Sequence, residues 1–195
     1  MPKRPSAGLV CAITALVAFT IWINWRAKAI ELDLGVSAQK LAITGRQAPD
    51  FHLQTVDGKT VSLSDFRGRK LGLIFWASWN NGSHPAMLSM GMLYRSHEPT
   101  SNYDIVAICV GDEKADVQKF LAEQSVTMPV VLDPSEETAR AFHVRSIPSV
   151  VVVDQAGKVT WSAVGFTQRM VMDVAHELGI ENFRMGFGGP NGRRN

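Results

Sequence analysis

The chain has 195 residues, 46% of them hydrophobic and 19% charged, with a formal net charge of +2. That size suits one globular domain plus one apolar membrane segment, and the near-balanced charge argues against nucleic acid as a partner. Part of the basic excess sits at the two ends, in Lys3, Arg4, Arg26 and Lys28 and again in Arg184, Arg193 and Arg194.

Residues 1–7 form a short basic N-terminus. Residues 8–25 are apolar apart from Thr14, Thr20 and Asn24, the length of one membrane-spanning helix, and Trp22 and Trp25 close the run where indoles favour the interface. The segment is expected to be an uncleaved transmembrane anchor. A cleaved signal peptide is the alternative, since Ala27-Lys28-Ala29 offers a small-x-small site. Two basic residues flank the span on each side, so charge does not orient it; the simplest arrangement puts the domain outside the cytoplasm. Cys11 lacks the sequence context of a lipidated cysteine. Cys11 and Cys109 are not expected to meet, so no disulfide is expected.

Residues 26–44 read as a linker. The domain is expected to span 45–181, and the Gly- and Arg-rich residues 182–195 read as a disordered tail. Within the domain, residues 48–53 and 56–63 predict a hairpin turned at Asp57-Gly58. A turn over Ser64–Gly68 leads into a buried strand from Leu71 to Ala77. A helix is predicted from about Pro85 to Arg95, with Met87, Leu88, Met90, Met92 and Leu93 as packing residues rather than a methionine-rich metal site. A strand over Tyr103–Val110 carries Cys109, read as a small buried hydrophobe. A helix follows over Asp112–Gln124, a short strand over Met128–Pro134, and a helix over Ser135–Phe142 capped by Ser135. The strand Ser149–Asp154 pairs back with Val159–Val164, and a last helix runs from Thr167 to Leu178. This order implies an α/β fold: a mixed sheet with helices on both faces.

The chemistry is expected at the junction of the Leu71–Ala77 strand and the following helix. A helix N-terminus stabilises a thiolate, so this is a natural place for a thiol-disulfide site. Such a site needs two cysteines three residues apart, and the sequence offers Asn80 and Ser83. Both residue types favour helix N-caps, so the turn and helix start are expected to survive without sulfur. No base for Ser83 is evident, because His84 is its helix neighbour and faces elsewhere. His52, His84, His97, His143 and His176 are scattered without ligand spacing, so neither metal nor cofactor is expected.

Several motifs in order resemble the membrane-anchored thioredoxin-like family of TlpA and ResA type, related to the peroxiredoxins. They are Gly45-Arg-Gln-Ala-Pro-Asp-Phe51, Asp57-Gly58-Lys59, Leu63-Ser-Asp-Phe-Arg-Gly68, Phe75-Trp-Ala-Ser-Trp79, Pro129–Pro134, Ile147-Pro148 and Gly157-Lys158. The resemblance covers about residues 45–180. It implies a thioredoxin-like fold with an N-terminal hairpin extension, and reduction or exchange of disulfides outside the cytoplasm. That chemistry needs Trp-Cys-x-Pro-Cys with a glutamate three residues on. Here Trp79 matches, whereas Asn80, Gly82, Ser83 and Ala86 stand at the cysteine, proline, cysteine and glutamate positions. Exchange requires thiolate attack on sulfur, which neither Asn80 nor Ser83 can perform. The resemblance also implies a cis Pro148, with Ile147 presenting backbone groups to an extended peptide. Trp76, Trp79, Ile147 and Pro148 are therefore the candidate binding residues, unless Pro148 serves the fold alone. The expected function is a redox-inactive, membrane-anchored protein that binds an extracytoplasmic protein as scaffold or assembly factor. The alternative is a thiol-disulfide oxidoreductase working through Cys109 or a partner's cysteines.

Overall fold

The computed structural model describes residues 40–96, 101–124, 126–181 and 183. The expected anchor at 8–25, Cys11, most of the expected linker and nearly all of the tail lie outside the described residues. Among the described residues no helix is long and apolar enough to cross a membrane.

Seven strands form one mixed sheet. In chain order they are β1 (His52–Thr55), β2 (Thr60–Ser62), β3 (Lys70–Trp76), β4 (Tyr103–Val110), β5 (Val130–Asp133), β6 (Ser149–Val153) and β7 (Val159–Val164). Across the sheet they run β2-β1-β5-β4-β3-β6-β7. The inner pairs β3/β4 and β4/β5 are parallel, whereas β1/β2, β1/β5, β3/β6 and β6/β7 are antiparallel. Central parallel strands are covered on both faces, which is why β3 and β4 read as continuous apolar runs. The helices are α1 (Ser83–Arg95), α2 (Lys114–Glu123), α3 (Glu137–Ala141) and α4 (Gln168–Leu178).

The two-residue period of a strand divides the core between the two faces. On β3, Ile74 and Trp76 join Ile105, Ala107 and Cys109 of β4 beneath α1, α2 and α4. Leu71, Leu73 and Phe75 face the other way and pack with Val106, Ile108 and Phe142. This second face recruits Leu41 and Ile43, expected within the linker; both are buried, and the Leu41 amide donates to Ser162 Oγ at 2.9 Å. The packed unit thus begins before Gly45.

Local chemistry shifts several predicted boundaries. The turn at Ser64–Gly68 is instead a 3-10 turn over Leu63–Phe66, where the Ser62 amide donates to Asp65 Oδ2 at 2.8 Å. The third helix starts at Glu137 rather than Ser135, and Ser135 is not its cap. The buried Asp133 carboxylate does that work from the end of β5, accepting the amides of Thr138 (3.3 Å) and Ala139 (2.9 Å). A carboxylate satisfies orphan amides at a helix start better than a hydroxyl does, and it is favoured there by the helix dipole. Thr167 caps α4 as a neighbour in sequence, accepting the Met170 amide at 3.2 Å.

Candidate functional site

The site is built where β3 runs into α1. Ala77 ends the buried run, residues 78–82 turn, and Ser83 opens the helix. Asn80 organises this turn. Its Oδ1 accepts the Ser83 amide at 2.9 Å and the Ser83 hydroxyl at 3.3 Å. The Ser83 oxygen in turn accepts the Ala77 amide at 3.4 Å. The formal N-cap is Gly82, so the expectation of two side-chain caps holds only for the Asn80 carboxamide; Ser83 is the first helical residue and is buried. A β-carbon at Gly82 would lie 3.2 Å from Asn80 Oδ1 and 3.6 Å from Pro148 Cδ, so a side chain there would press on both.

The opposite wall is the loop after α3. The Ile147–Pro148 bond is cis, as the resemblance implied. Asn80 Nδ2 donates to the Ile147 carbonyl at 3.4 Å, tying the two loops together. Pro148 is buried, Ile147 half-buried, and Trp79 is 67% exposed.

Trp76 does not belong to this surface. It is 0% exposed and its ring packs 4.7 Å from that of Phe120 on α2. Strand alternation turns its indole into the core, so the groove expected from four residues has Trp79, Ile147 and Pro148 for its apolar wall. Ala86 is likewise buried on the inner face of α1.

At the two positions where the resemblance puts cysteines stand a carboxamide and a hydroxyl, Asn80 and Ser83. The Ser83 hydroxyl donates to a carboxamide oxygen, which has no basic lone pair able to take the proton at neutral pH. His84 faces away, its Nε2 lying 2.9 Å from the Ser78 carbonyl oxygen and its ring 4.9 Å from that of Phe120. Cys109 lies directly across from Trp76 in the β3/β4 register and is 1% exposed. Burial pushes its thiol well above the usual range, and the hydrogen bond and negative charge of Asp112 push it further. Its thiolate is therefore disfavoured at neutral pH, and its sulfur lies beneath the surface of the described domain.

Sequence reading missed Asp112, taken there as a helix start. Buried at the end of β4, it accepts the Ser78 amide at 2.6 Å and the Cys109 thiol at 3.0 Å, pinning the loop to the sheet beneath it. The available signal was a carboxylate directly after an apolar strand, next to a glycine. Among the described residues no group of three or more His, Cys, Asp or Glu side chains is gathered to hold a metal ion.

A mixed sheet in this order, with a helix rising from the end of β3 opposite a cis-proline loop, defines the thioredoxin-like class of fold. Residues 44–162 match the AhpC/TSA family, and the chain belongs to it, within the thioredoxin-like TlpA/ResA group. It is 32% identical over 130 residues to the thiol-disulfide oxidoreductase ResA of Bacillus subtilis, covering 66% of this chain and 72% of that one. The ResA of Geobacillus thermodenitrificans is 29% identical over 152 residues, 77% of this chain and 80% of that one. Among solved structures, a Chlorobium tepidum protein assigned as the thiol:disulfide interchange protein DsbE is 32% identical, with a TM-score of 0.60 over 73% of this chain and 96% of that one.

Proposed function

We propose that this chain uses a thioredoxin-like domain to hold a segment of another protein, without exchanging disulfides. In this reading the 8–25 segment anchors the chain in a membrane and the domain, which takes in Leu41 and Ile43 ahead of Gly45 and runs to about residue 181, faces out of the cytoplasm. The protein then acts there as a scaffold or assembly factor. The observation that carries it is the Asn80–Ser83 pair. A carboxamide and a buried hydroxyl stand where the resemblance puts two sulfurs, and they are satisfied by each other. The nearest remaining thiol, Cys109, is buried and held protonated. The exposed Trp79 and the half-buried Ile147 remain as contact residues, with Pro148 behind them.

Two measurements test this. With dithiothreitol as reductant, the protein is expected to leave the rate of insulin reduction unchanged; a stimulation abolished by Cys109→Ser would overturn the reading. A pull-down from membranes is expected to recover a partner that is lost with Trp79→Ala or Ile147→Asp, and binding that survives both changes removes the groove from the proposal.

A second reading is carried by the relatives, which are named thiol-disulfide oxidoreductases. Here the protein would act on disulfides through Cys109 or through a partner's own cysteines. A mixed disulfide recovered under non-reducing conditions, and absent from Cys109→Ser, would establish the route through Cys109; insulin reduction that needs the partner and persists in Cys109→Ser would establish the other.

A further inference from the structure

The loop that leads into Ile147–Pro148 helps line a cavity of about 310 Å³, formed by Lys40, Leu41, Ala42, His143, Arg145, Ser146 and Val164. Its polar rim is basic, with two permanent cations, Lys40 and Arg145, and the imidazole of His143; no carboxylate lines it. Among the described residues none of these three forms an ion pair, although the chain as a whole is nearly neutral. All three are exposed.

The cavity and the proposed groove are joined through the backbone. Arg145 and Ser146 immediately precede Ile147, whose carbonyl accepts from Asn80, the neighbour of Trp79. The segment is firmly held. Ser149 Oγ donates to the Ser146 carbonyl at 2.6 Å, and the Gly165 amide donates to the Pro148 carbonyl at 2.7 Å. Arg145 therefore projects from a fixed backbone, which limits the ordering cost of an ion pair made there.

His143 adds an independent observation. It follows α3 in the left-handed region, at φ 57°. The Val144 amide bonds the Ala139 carbonyl at 2.9 Å and the His143 amide bonds the Arg140 carbonyl at 3.0 Å, the helix ending in which glycine is the usual residue at that position. A side chain kept in a strained conformation on the rim of a cavity is a pointer to function.

We infer that this cavity receives carboxylate side chains of the partner, so that the segment docked on Trp79, Ile147 and Pro148 is an acidic, extended stretch of polypeptide. The inference rests on the groove proposed above and specifies its ligand. The apolar wall supplies contact area, while Lys40, His143 and Arg145 select charge and direction.

The test uses the full chain in detergent micelles and three fluorescein-labelled peptides with a common Val/Ala centre, flanked by Glu, Gln or Lys. Anisotropy titration at low salt is expected to show the Glu probe binding about tenfold more tightly than the Gln probe, the sum of a few partly exposed charge pairs, with the Lys probe weakest. The preference should shrink at high salt. Arg145→Glu should abolish it and improve binding of the Lys probe, with Arg145→Gln and Lys40→Gln in between; both positions are exposed, and all three substitutions should leave the thermal melt unaltered. Trp79→Ala should weaken the Glu and Gln probes by the same factor. Equal affinity for Glu and Gln probes, a preference indifferent to Arg145→Glu, or no binding of any probe overturns the inference. If the Gln probe still binds in a Trp79-dependent way without any charge preference, the groove stands and the acidic ligand falls. If the charge preference persists through Trp79→Ala and Ile147→Asp with no loss of affinity, the cavity stands and the groove falls.

Discussion

Trp76 and Trp79 are separated by only two residues, yet they belong to different parts of the molecule. Trp76 ends β3 and points inward, fully buried against Phe120 and across the register from Cys109. Trp79 sits on the turn beyond it with most of its surface in water. The inner layer is apolar and closed around one protonated thiol. The outer layer is an open surface fixed by the hydrogen bonds of Asn80 with Ser83 and Ile147 and by the Ser78 amide, which donates to Asp112. The contrast is one of packing: the interior layer is closed around Cys109, whereas Trp79 and Ile147 leave apolar surface at the exterior.

The largest expected effect comes from breaking the inner layer. Trp76→Ala should cost roughly 3–5 kcal/mol of stability, because a fully buried aromatic leaves a cavity that its neighbours cannot fill. Urea unfolding followed by circular dichroism measures it.

The second effect is in the pH dependence. The Cys109 thiol is raised in the folded state relative to the unfolded chain, so folding favours its protonated form. Its contribution is fully present below the ordinary thiol pKa, near 8.5, and is lost as the pH rises from there towards the folded value, at up to about 1.4 kcal/mol per pH unit. Urea melts of the wild type between neutral pH and about pH 10 should therefore show a steeper loss of stability than Cys109→Ala, by roughly 2 kcal/mol over the range. Parallel pH profiles would show that the thiol is not held as described.

Asn80→Ala tests the join between the layers. It removes one of the two acceptors of the Ser83 amide and the link to the Ile147 carbonyl, while the Asn80 main-chain carbonyl still accepts that amide at 2.9 Å, so the loss should be no more than about 1 kcal/mol, the scale of a helix cap. Asn80→Asp, which keeps an acceptor at the helix start, should recover most of it. The smallest change is expected for Trp79→Ala, which should stay within about 0.5 kcal/mol of wild type in stability. Its effect should appear in binding instead, as a loss on the order of tenfold or more if the exposed indole anchors a partner.

Much of this arrangement was legible in the sequence. The order of strands and helices, the hairpin at Asp57-Gly58, the β3–α1 junction and the Ile147–Pro148 loop follow from apolar periodicity, turn residues and family resemblance. What was not legible depends on register. Whether Trp76 faces in or out is set by the phase of β3 against β4 and β6, and a continuous apolar run has no visible phase. Asp112 and Asp133 look like ordinary polar residues at strand ends. Their roles arise because the sheet brings them under amides at Ser78 and at Thr138 and Ala139. The basic cavity joins Lys40 to residues more than a hundred positions later, a distance that no local pattern reports.

The link from Asn80 to both Ser83 and Ile147 has one further consequence. In a loop closed by a pair of thiols, the surface shown to a partner depends on whether they are oxidised or reduced. Here the closure is made by an amide, which neither oxidant nor reductant alters. A segment docked on this loop would meet the same surface whatever the redox state of its surroundings. It would leave at a rate set by noncovalent contacts alone, so its residence time would be governed by ionic strength and competition rather than by thiol reagents.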